Sequence, residues 1–236
     1  MNKLKLFNVM QINIVIISGS VHELLYTFRM KKIGLISDPH AYAKPVAQAL
    51  SIFKKEQVDA IWCTGDIAGY GNELEETVRL FQKNNCRIVL GNHELSYLHK
   101  NLSEINNQTY SYLKCLPRVI QQNIEGKTVY MVHASPPGSL KAGIHLLDQK
   151  GDMIETEKQH WTEQLKDFDV DVLIVGHTHQ IFAEMLGSTL VINPGSSQFN
   201  HSCAILSLPD LTVQWFALSD QPIKKSWNWG MEVRSN

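Results

Sequence analysis

The stretch DVLIVGHTHQ, residues 171–180, ends an apolar run in a glycine and two histidines that are separated by one residue. Four aliphatic residues in a row, 172–175, predict a strand that is buried on both faces. Such a strand has no use for imidazoles in its interior, so His177 and His179 are expected just beyond its carboxyl end, where open α/β sheets bind their ligands. Two histidines at this spacing are weak evidence alone, because a β-bulge or a hydrogen-bonded turn would explain them equally well.

Composition limits the classes of function. The chain has 236 residues, 44% of them hydrophobic, and a formal net charge of −1. This length is sufficient for one sizeable core, and the sequence contains neither an internal repeat nor a low-complexity linker. Because 22 lysines and arginines balance 23 acidic residues, the charge argues against an extended nucleic-acid surface and against a polybasic membrane surface.

The cysteines indicate the compartment. The four cysteines, Cys63, Cys86, Cys115 and Cys203, have neither CxxC nor zinc-ribbon spacing. Buried, reduced thiols in a cytoplasmic protein are the simplest interpretation. No membrane association is expected, and the sequence leaves the oligomeric state open, a homo-oligomer included.

Residues 1–29 differ from the rest of the chain. They resemble a secretory signal peptide only loosely, because polar residues interrupt the apolar part at Asn8, Gln11 and Asn13. Met30 then leads directly into a predicted strand. We therefore predict a domain over 30–236, preceded by an N-terminal extension that is a misassigned start or disordered. A signal peptide or anchor, or an extra strand over 12–17, is the alternative.

Strand-like and helix-like segments alternate from Met30 onward. The predicted strands of this part are 33–36, 58–63, 87–90, 128–133 and 172–175. The predicted helices are 45–57, 73–82, 102–113 and 156–168. Three short strands follow at 189–192, 203–208 and 211–216. Alternation followed by a run of strands predicts an α/β fold with at least one mixed sheet.

Polar side chains follow each strand of the alternating part. They are Asp38 and His40, Asp66, Asn92 with His93 and Glu94, His133, and His177 with His179. Each has an ordinary explanation as a turn residue, a helix cap or a satisfied core histidine. Five such coincidences at the same end of one sheet are much harder to dismiss, so we predict that these side chains share a cavity.

The donor chemistry of these residues indicates divalent metal ions. Carboxylates, an amide and imidazoles without a thiolate are typical of N/O-ligated transition metals. Asp38, His40, Asp66, Asn92, His133, His177 and His179 make seven side chains, too many for one tetrahedral ion. Two ions that share Asp66 as a bridging carboxylate fit better. Such a pair, about 3.5–4 Å apart, lowers the pKa of a bridging water from about 15.7 toward about 7, so that hydroxide attacks phosphorus without a serine or cysteine nucleophile.

The ordered motifs D-x-H, G-D, G-N-H, a lone H and G-H-x-H resemble the calcineurin-like metallophosphoesterase superfamily. Over about residues 30–217, GDIAGYG, VHASP, GHTH and NPGS are most similar to its small bacterial and archaeal phosphoesterase branch, which includes diadenosine tetraphosphatase-like proteins. The resemblance implies a four-layer α/β/β/α sandwich, in which two mixed sheets pack face to face between helices. It also implies two ions at the strand ends.

The resemblance also implies roles for individual residues. One ion would bind Asp38, His40, Asp66 and His179, and the other would bind Asp66, Asn92, His133 and His177. His93 would contact the phosphate, with Asn92, and would protonate the leaving oxygen, a role that typically contributes about 10²–10⁴-fold. The alternative for His93 is a hydrogen bond to a neighbouring loop. Glu94 either orients a ligand or favours a helix N-terminus, and we favour the second role.

The segment after the second motif departs from the phosphoprotein phosphatase branch, which has an arginine and an acidic residue there. Here the segment reads AGYG, and none of the five arginines falls in a metal motif. A bidentate guanidinium clamp on a phosphomonoester is therefore not evident, which favours phosphodiesters or other small phosphate esters as substrates. Tyr42 and Tyr70 flank the predicted mouth and are candidates to stack on a base; Lys44 is either a phosphate contact or a solvated residue.

Other functions stay open at this point. Phosphoprotein or dinucleoside polyphosphate hydrolysis would use the same site, and so would a nuclease, which the near-neutral charge disfavours. A non-catalytic scaffold of the same fold, like the retromer scaffold subunit, is disfavoured because every expected ligand is present. We expect Mn²⁺ as the metal, with Fe, Zn²⁺, Ni²⁺ or Co²⁺ as alternatives that mixed N/O ligands also accept.

Overall fold

Two mixed five-stranded sheets form the centre of the structure, a computed structural model that describes residues 30–105 and 107–227. With strands numbered in chain order, the first sheet runs β10 (Thr212–Ala217), β9 (Ser202–Leu208), β1 (Lys31–Ile36), β2 (Ala60–Cys63), β3 (Arg87–Ile88). The second runs β4 (Val119–Ile124), β5 (Lys127–Val132), β6 (Val172–Ile174), β8 (Thr189–Pro194), β7 (Ile181–Leu186). The predicted extension, residues 1–29, lies outside the described residues.

Helices cover the outer face of each sheet. They are α1 (Ala43–Lys55), α2 (Leu74–Lys83), α3 (Asn92–Lys100), α4 (Gln108–Lys114) and α5 (Glu155–Leu165). The first four pack on the first sheet, and Gly34 allows the closest approach, since a Cβ there would lie 2.7 Å from the Phe53 ring. Helix α5 packs on the second sheet through Leu165. No helix in the described ranges is both long and apolar enough to cross a bilayer.

The side chains of each strand alternate between two cores. In β1, Leu35 faces the second sheet and Ile36 faces the helices. In β6, Ile174 lies between the sheets and Leu173 lies under α5. Burying a large aliphatic side chain contributes about 1.5–3 kcal/mol, so strands that are apolar on both faces stabilise the stacking of the layers. The predicted α/β/β/α sandwich is confirmed, and so is the strand that the first stretch predicted.

The strands whose carboxyl ends are followed by the polar side chains belong to both sheets. Strands β1, β2 and β3 are parallel, as are β5, β6 and β8. The expectation of a single sheet edge is therefore wrong: Asp38 and Asp66 follow strands of the first sheet, whereas His133 and His177 follow strands of the second. Strand β4 starts the second sheet by pairing antiparallel with β5 through a turn at Glu125 and Gly126, both with positive φ.

Sequence patterns missed three elements. Strand β4 reads VIQQNI and strand β7 contains Glu184, so neither has a continuous apolar run. Helix α3 begins at Asn92, inside a motif that we interpreted as a ligand-bearing loop. The predicted helix 102–113 is instead a short 3₁₀ turn, Leu102–Glu104, followed by α4.

Candidate metal centre

The loops after β1, β2 and β6 have an unusual backbone. A left-handed conformation is adopted by five of the seven predicted ligands, namely Asp38, His40, Asp66, His177 and His179. This conformation costs about 1–2 kcal/mol for a residue with a Cβ, and such strain concentrates at functional sites. Backbone hydrogen bonds from Asp38 N to Gly65 O (3.1 Å) and from His40 N to Asp66 O (3.0 Å) hold the first two loops together.

Asp38, His40 and His179 form one group of buried donor atoms. The Nε2 atoms of the two histidines are 3.0 Å apart, and His179 Nε2 lies 3.4 Å from Asp38 Oδ1. Asp38 Oδ2 accepts a hydrogen bond from the His177 N–H at 3.1 Å and another from the Ser37 hydroxyl. Asp38 Oδ1 is buried and accepts no hydrogen bond of normal geometry from the residues that the structure describes. A buried carboxylate oxygen that faces two imidazole nitrogens is a suitable cation site.

Asp66, His133 and His177 form a second group. The Nδ1–H of His133 donates to the Thr64 carbonyl at 2.8 Å, because a carbonyl oxygen can only accept. His133 Nε2 therefore faces the centre, 3.4 Å from Asp66 Oδ2 and 2.9 Å from Asn92 Oδ1. The Thr64 carbonyl fixes a proton on Nδ1, so Nε2 is the nitrogen that would bind a metal after losing its own proton.

The imidazole of His177 faces the centre with the other ring nitrogen than that of His133. Its Nε2–H donates to the Lys141 carbonyl at 2.9 Å, which leaves Nδ1 for the centre. His177, Asp66 and His133 each offer one donor atom within 4.8 Å of the others, and so do His40, Asp66 and His93. Asp66 is common to both sets. The structure thus brings all seven predicted ligands into one cluster, with Asp66 between its halves.

Burial and mutual charge shift the pKa values in the cluster. Burial lowers the pKa of His40 to about 3. Burial alone would raise the pKa of Asp38, but His179 and the charges of His133 and His40 lower it. Burial would lower the pKa of His133, but Asp66 raises it to about 9. Within the described residues, histidines are the only basic side chains beside the carboxylates of Asp38 and Asp66, and His40 is neutral at its lowered pKa. The cluster therefore holds buried anionic and imidazole donors, and it fits divalent cations.

Glu94 lies behind the cluster and combines the two roles that the sequence offered as alternatives. Its carboxylate accepts hydrogen bonds from the backbone N–H groups of Asp66 (2.8 Å), Ala68 (2.7 Å) and Gly91 (2.8 Å). Burial raises the pKa of Glu94 to about 7, the charge of Asp66 acts in the same direction, and the N–H groups oppose the shift. Glu94 thus caps α3, as favoured from the sequence, and also holds the loop that carries Asp66.

His93 and two tyrosines lie at different depths around the cluster. The backbone N–H of His93 donates to Asp66 Oδ1 at 2.8 Å. The ring of Tyr70 is 4.8 Å from the ring of His40 and is 51% exposed. Tyr42 is half-buried, with its ring 6.3 Å from that of Phe199. Lys44 is exposed in the first turn of α1.

An aromatic wall beside His179 was not predicted from the sequence. The rings of Phe199 and Trp227 stack with centroids 4.3 Å apart, and Phe199 also stacks on His179 at 5.6 Å. Two backbone hydrogen bonds hold Trp227 in this position. The backbone N–H of Trp227 donates to the His179 carbonyl at 3.2 Å, and the backbone N–H of Ile181 donates to the Lys225 carbonyl at 2.8 Å. The nearby NPGS motif was the only sequence signal in this region.

Comparisons with known proteins agree with this geometry. The family model for the calcineurin-like phosphoesterase superfamily domain matches residues 30–209. An uncharacterized protein of Methanocaldococcus jannaschii is 28% identical over 185 residues, which are 69% of this chain and 68% of that protein. A phosphodiesterase of the same organism is 26% identical over 168 residues, 70% of this chain and 82% of that protein. A metallophosphoesterase from Sphaerobacter thermophilus superposes with a TM-score of 0.61 at 23% identity, over 80% of this chain and 88% of that one.

Proposed function

The chain belongs to the calcineurin-like phosphoesterase superfamily and is a metal-dependent phosphoric ester hydrolase. From this premise we propose that it hydrolyses phosphodiesters or small phosphate esters at a pair of divalent ions. The observation that carries the proposal is the overlap of the donor groups. Asp66 lies within 4.8 Å of His40 and His93 in one set and of His133 and His177 in another. A carboxylate shared in this way is suited to bridge two ions.

The two ions divide the donors between them. The first would be held by Asp38, His40, Asp66 and His179, and the second would be held by Asp66, Asn92, His133 and His177. Support comes from the tautomers, since carbonyl oxygens accept from the outer nitrogens of His133 and His177 and leave the inner ones for the metal. Two divalent ions, when bound, supply an activated water and neutralise charge on the phosphoryl oxygens. Mn²⁺ is the proposed metal.

His93 supplies the proton for the leaving group. It lies in the first turn of α3, where its backbone N–H donates to Asp66 Oδ1 at 2.8 Å. The imidazole is half-buried, so it borders both the cluster and the solvent from which the ester enters. Asn92 precedes it, and the amide nitrogen of Asn92 is a donor for a phosphate oxygen.

The surroundings of the cluster favour diesters over phosphoproteins. Arg79 is paired with Glu76, Arg87 donates to Gln122, and no hydrogen bond or ion pair between described residues joins an arginine to the cluster, so a guanidinium clamp for a doubly charged phosphate is not seen there. The exposed ring of Tyr70 lies 5.9 Å from that of Phe199, and these two rings border the cluster on one side. Aromatic surfaces of this kind bind flat groups by stacking. We therefore propose that the ester carries an aryl group or a nucleobase, with Tyr42 at the outer edge of its site.

Elemental analysis combined with a substrate panel tests this function. The purified chain is expected to hold two divalent ions and to hydrolyse bis(p-nitrophenyl) phosphate faster than p-nitrophenyl phosphate when Mn²⁺ is added. Dinucleoside polyphosphates and a phosphopeptide complete the panel, and protein treated with a chelator is the control. Preference for the phosphopeptide would contradict the substrate class. Two bound ions without turnover of any ester would contradict catalysis and favour a scaffold.

A further inference from the structure

The uncharged segment AGYG, residues 68–71, places a tyrosine against the histidine that we assign as the proton donor. Tyr70 Oη lies 3.2 Å from His93 Nε2, and the centroids of the two rings are 4.9 Å apart in an edge-on arrangement. The sequence assigned Tyr70 to substrate stacking. The contact indicates a second role for its hydroxyl, because a hydrogen bond to a ring nitrogen decides how an imidazole is turned.

Glycines on both sides of Tyr70 hold its backbone close to the loop after β1. A Cβ at Gly69, where φ is +155°, would lie 2.5 Å from His40 Nδ1. A Cβ at Gly71 would lie 2.3 Å from the Ala41 carbonyl oxygen, and the Gly71 N–H donates to the His40 carbonyl at 2.8 Å. Neither approach is open to a larger residue. The backbone on each side of Tyr70 is therefore tightly held, which limits the positions that the Tyr70 hydroxyl can occupy.

The backbone of His93 is held as well, but its ring needs a separate restraint. The His93 N–H donates to Asp66 Oδ1 at 2.8 Å, which leaves rotation about the two side-chain bonds. The His40 ring meets the His93 ring edge-on at 4.8 Å and limits this rotation from one side. Tyr70 meets it from another side with both a ring and a hydrogen bond.

We propose that Tyr70 is a positioning residue whose hydroxyl holds the His93 imidazole in the orientation from which it protonates the leaving group. This inference rests on the proposed function. In the step itself an activated water oxygen bonds to phosphorus as the P–O bond to the leaving group breaks, and the Nδ1 proton of the His93 imidazolium, whose Nε2–H donates to Tyr70 Oη, passes to the leaving oxygen. Tyr70 keeps its own proton and acts only through His93. A contribution of this kind appears in kcat, and it grows as the leaving group becomes more basic.

The test is the Tyr70→Phe variant, which removes the hydroxyl and keeps the ring. With Mn²⁺ added, kcat for a nucleoside phenyl phosphodiester is expected to fall about 3- to 10-fold, the equivalent of one hydrogen bond. The fall is expected to be smaller for the p-nitrophenyl ester, with KM unchanged for both. In a His93→Ala background the same substitution is expected to have no further effect, since no ring remains to be positioned. The matched control is Tyr110→Phe, which removes a hydroxyl that donates to the Leu98 carbonyl at 3.3 Å in the core behind α4.

Three outcomes would overturn the proposal. A higher KM with unchanged kcat in Tyr70→Phe would make the hydroxyl a substrate contact. An equal loss of kcat with and without His93 would show that the hydroxyl acts independently of His93. Wild-type kinetics in Tyr70→Phe would show that the hydroxyl has no role in turnover. The ring-nitrogen NMR signals of His93 give a readout that needs no turnover, and they are expected to shift in Tyr70→Phe and not in Tyr110→Phe. If the wild-type protein hydrolyses no ester, the proposed function fails by itself, and unshifted signals would separately refute the contact.

Discussion

Glu94 accepts a hydrogen bond of 2.8 Å from the backbone N–H of Asp66, and through this bond the first turn of α3 holds the loop that follows β2. Its carboxylate takes two further N–H groups, from Ala68 and Gly91. An amide in its place would turn an NH₂ group toward at least one of these donors. The loop geometry of Asp66 therefore depends on an acid for which the sequence favoured the role at a helix N-terminus over that of orienting a ligand.

Glu94→Gln is expected to lower both stability and metal affinity. Losing one charge-assisted hydrogen bond costs about 1.5–3 kcal/mol, which corresponds to a fall in Tm of roughly 3–12 °C for a domain of this size. Loss of a residue that orients a ligand typically weakens metal binding by about 10–100-fold. Thermal unfolding and metal titration provide the measurements, with the exposed Glu75→Gln as control. Wild-type metal affinity in Glu94→Gln would show that the Asp66 loop holds itself.

Asp66→Asn is expected to abolish turnover and to weaken binding of both ions, because the amide lacks the charge and the second acceptor oxygen that a bridging ligand needs. Elemental analysis after dialysis, together with hydrolysis of bis(p-nitrophenyl) phosphate, measures both effects. Asp167→Asn, on the exposed surface after α5, is the control. Retained activity with two bound ions would refute the bridging role.

His93→Ala is expected to keep both ions and to slow hydrolysis by about 10²–10⁴-fold, most for esters with poor leaving groups. The reason is that an alkoxide needs a proton on departure, whereas p-nitrophenolate leaves without one. A series of aryl esters measures the dependence, and the exposed His160→Ala on α5 is the matched control. Loss of an ion from His93→Ala would instead make His93 a ligand.

Gly176→Ala is expected to disturb the site through sterics alone. A Cβ at Gly176 would lie 2.3 Å from Thr64 Oγ1, 2.4 Å from Ser37 Oγ and 2.7 Å from Asp38 Oδ2. Overpacking of this kind costs about 1–3 kcal/mol, and we expect metal content to fall because Asp38 must move. Gly138→Ala is the control, since its Cβ would meet only Val119 Cγ2 at an ordinary 3.7 Å. Equal metal content in the two variants would contradict the expected displacement of Asp38.

Deletion of residues 1–29 is expected to leave activity intact, because the predicted domain starts at Met30 with the strand that precedes Asp38. Soluble expression, metal content and turnover of the shortened chain measure this, with the full chain as reference. An insoluble or inactive product would show that the extension belongs to the core.

Local patterns predicted those features of the fold that depend on local chemistry. The run 172–175 predicted a strand buried on both faces, and β6 indeed contacts both cores. Strand β4 was missed because its polar residues are exposed at the edge of a sheet, where no apolar run is needed. Helix α3 was missed because the motif at residues 92–94 was interpreted as a ligand-bearing loop, whereas Glu94 both caps this helix and holds a distant loop.

The candidate site shows the same division between features that local patterns predict and features that depend on tertiary packing. Residue types and their position after the strands predicted that seven N and O side chains share a cavity, and the structure brings these seven together; the proton-donor role of His93 came from the family resemblance and stays a prediction. Contacts between distant segments had no local signal, since Phe199 and Trp227, or Tyr70 and His93, meet only when separate loops pack together. The sequence by itself determined which side chains are available as N and O donors and the alternating strands that carry them. Only the tertiary structure decided that two sheets supply those donors, which nitrogen of each histidine faces inward, and which rings surround them, because these depend on the packing of chain segments far apart in sequence.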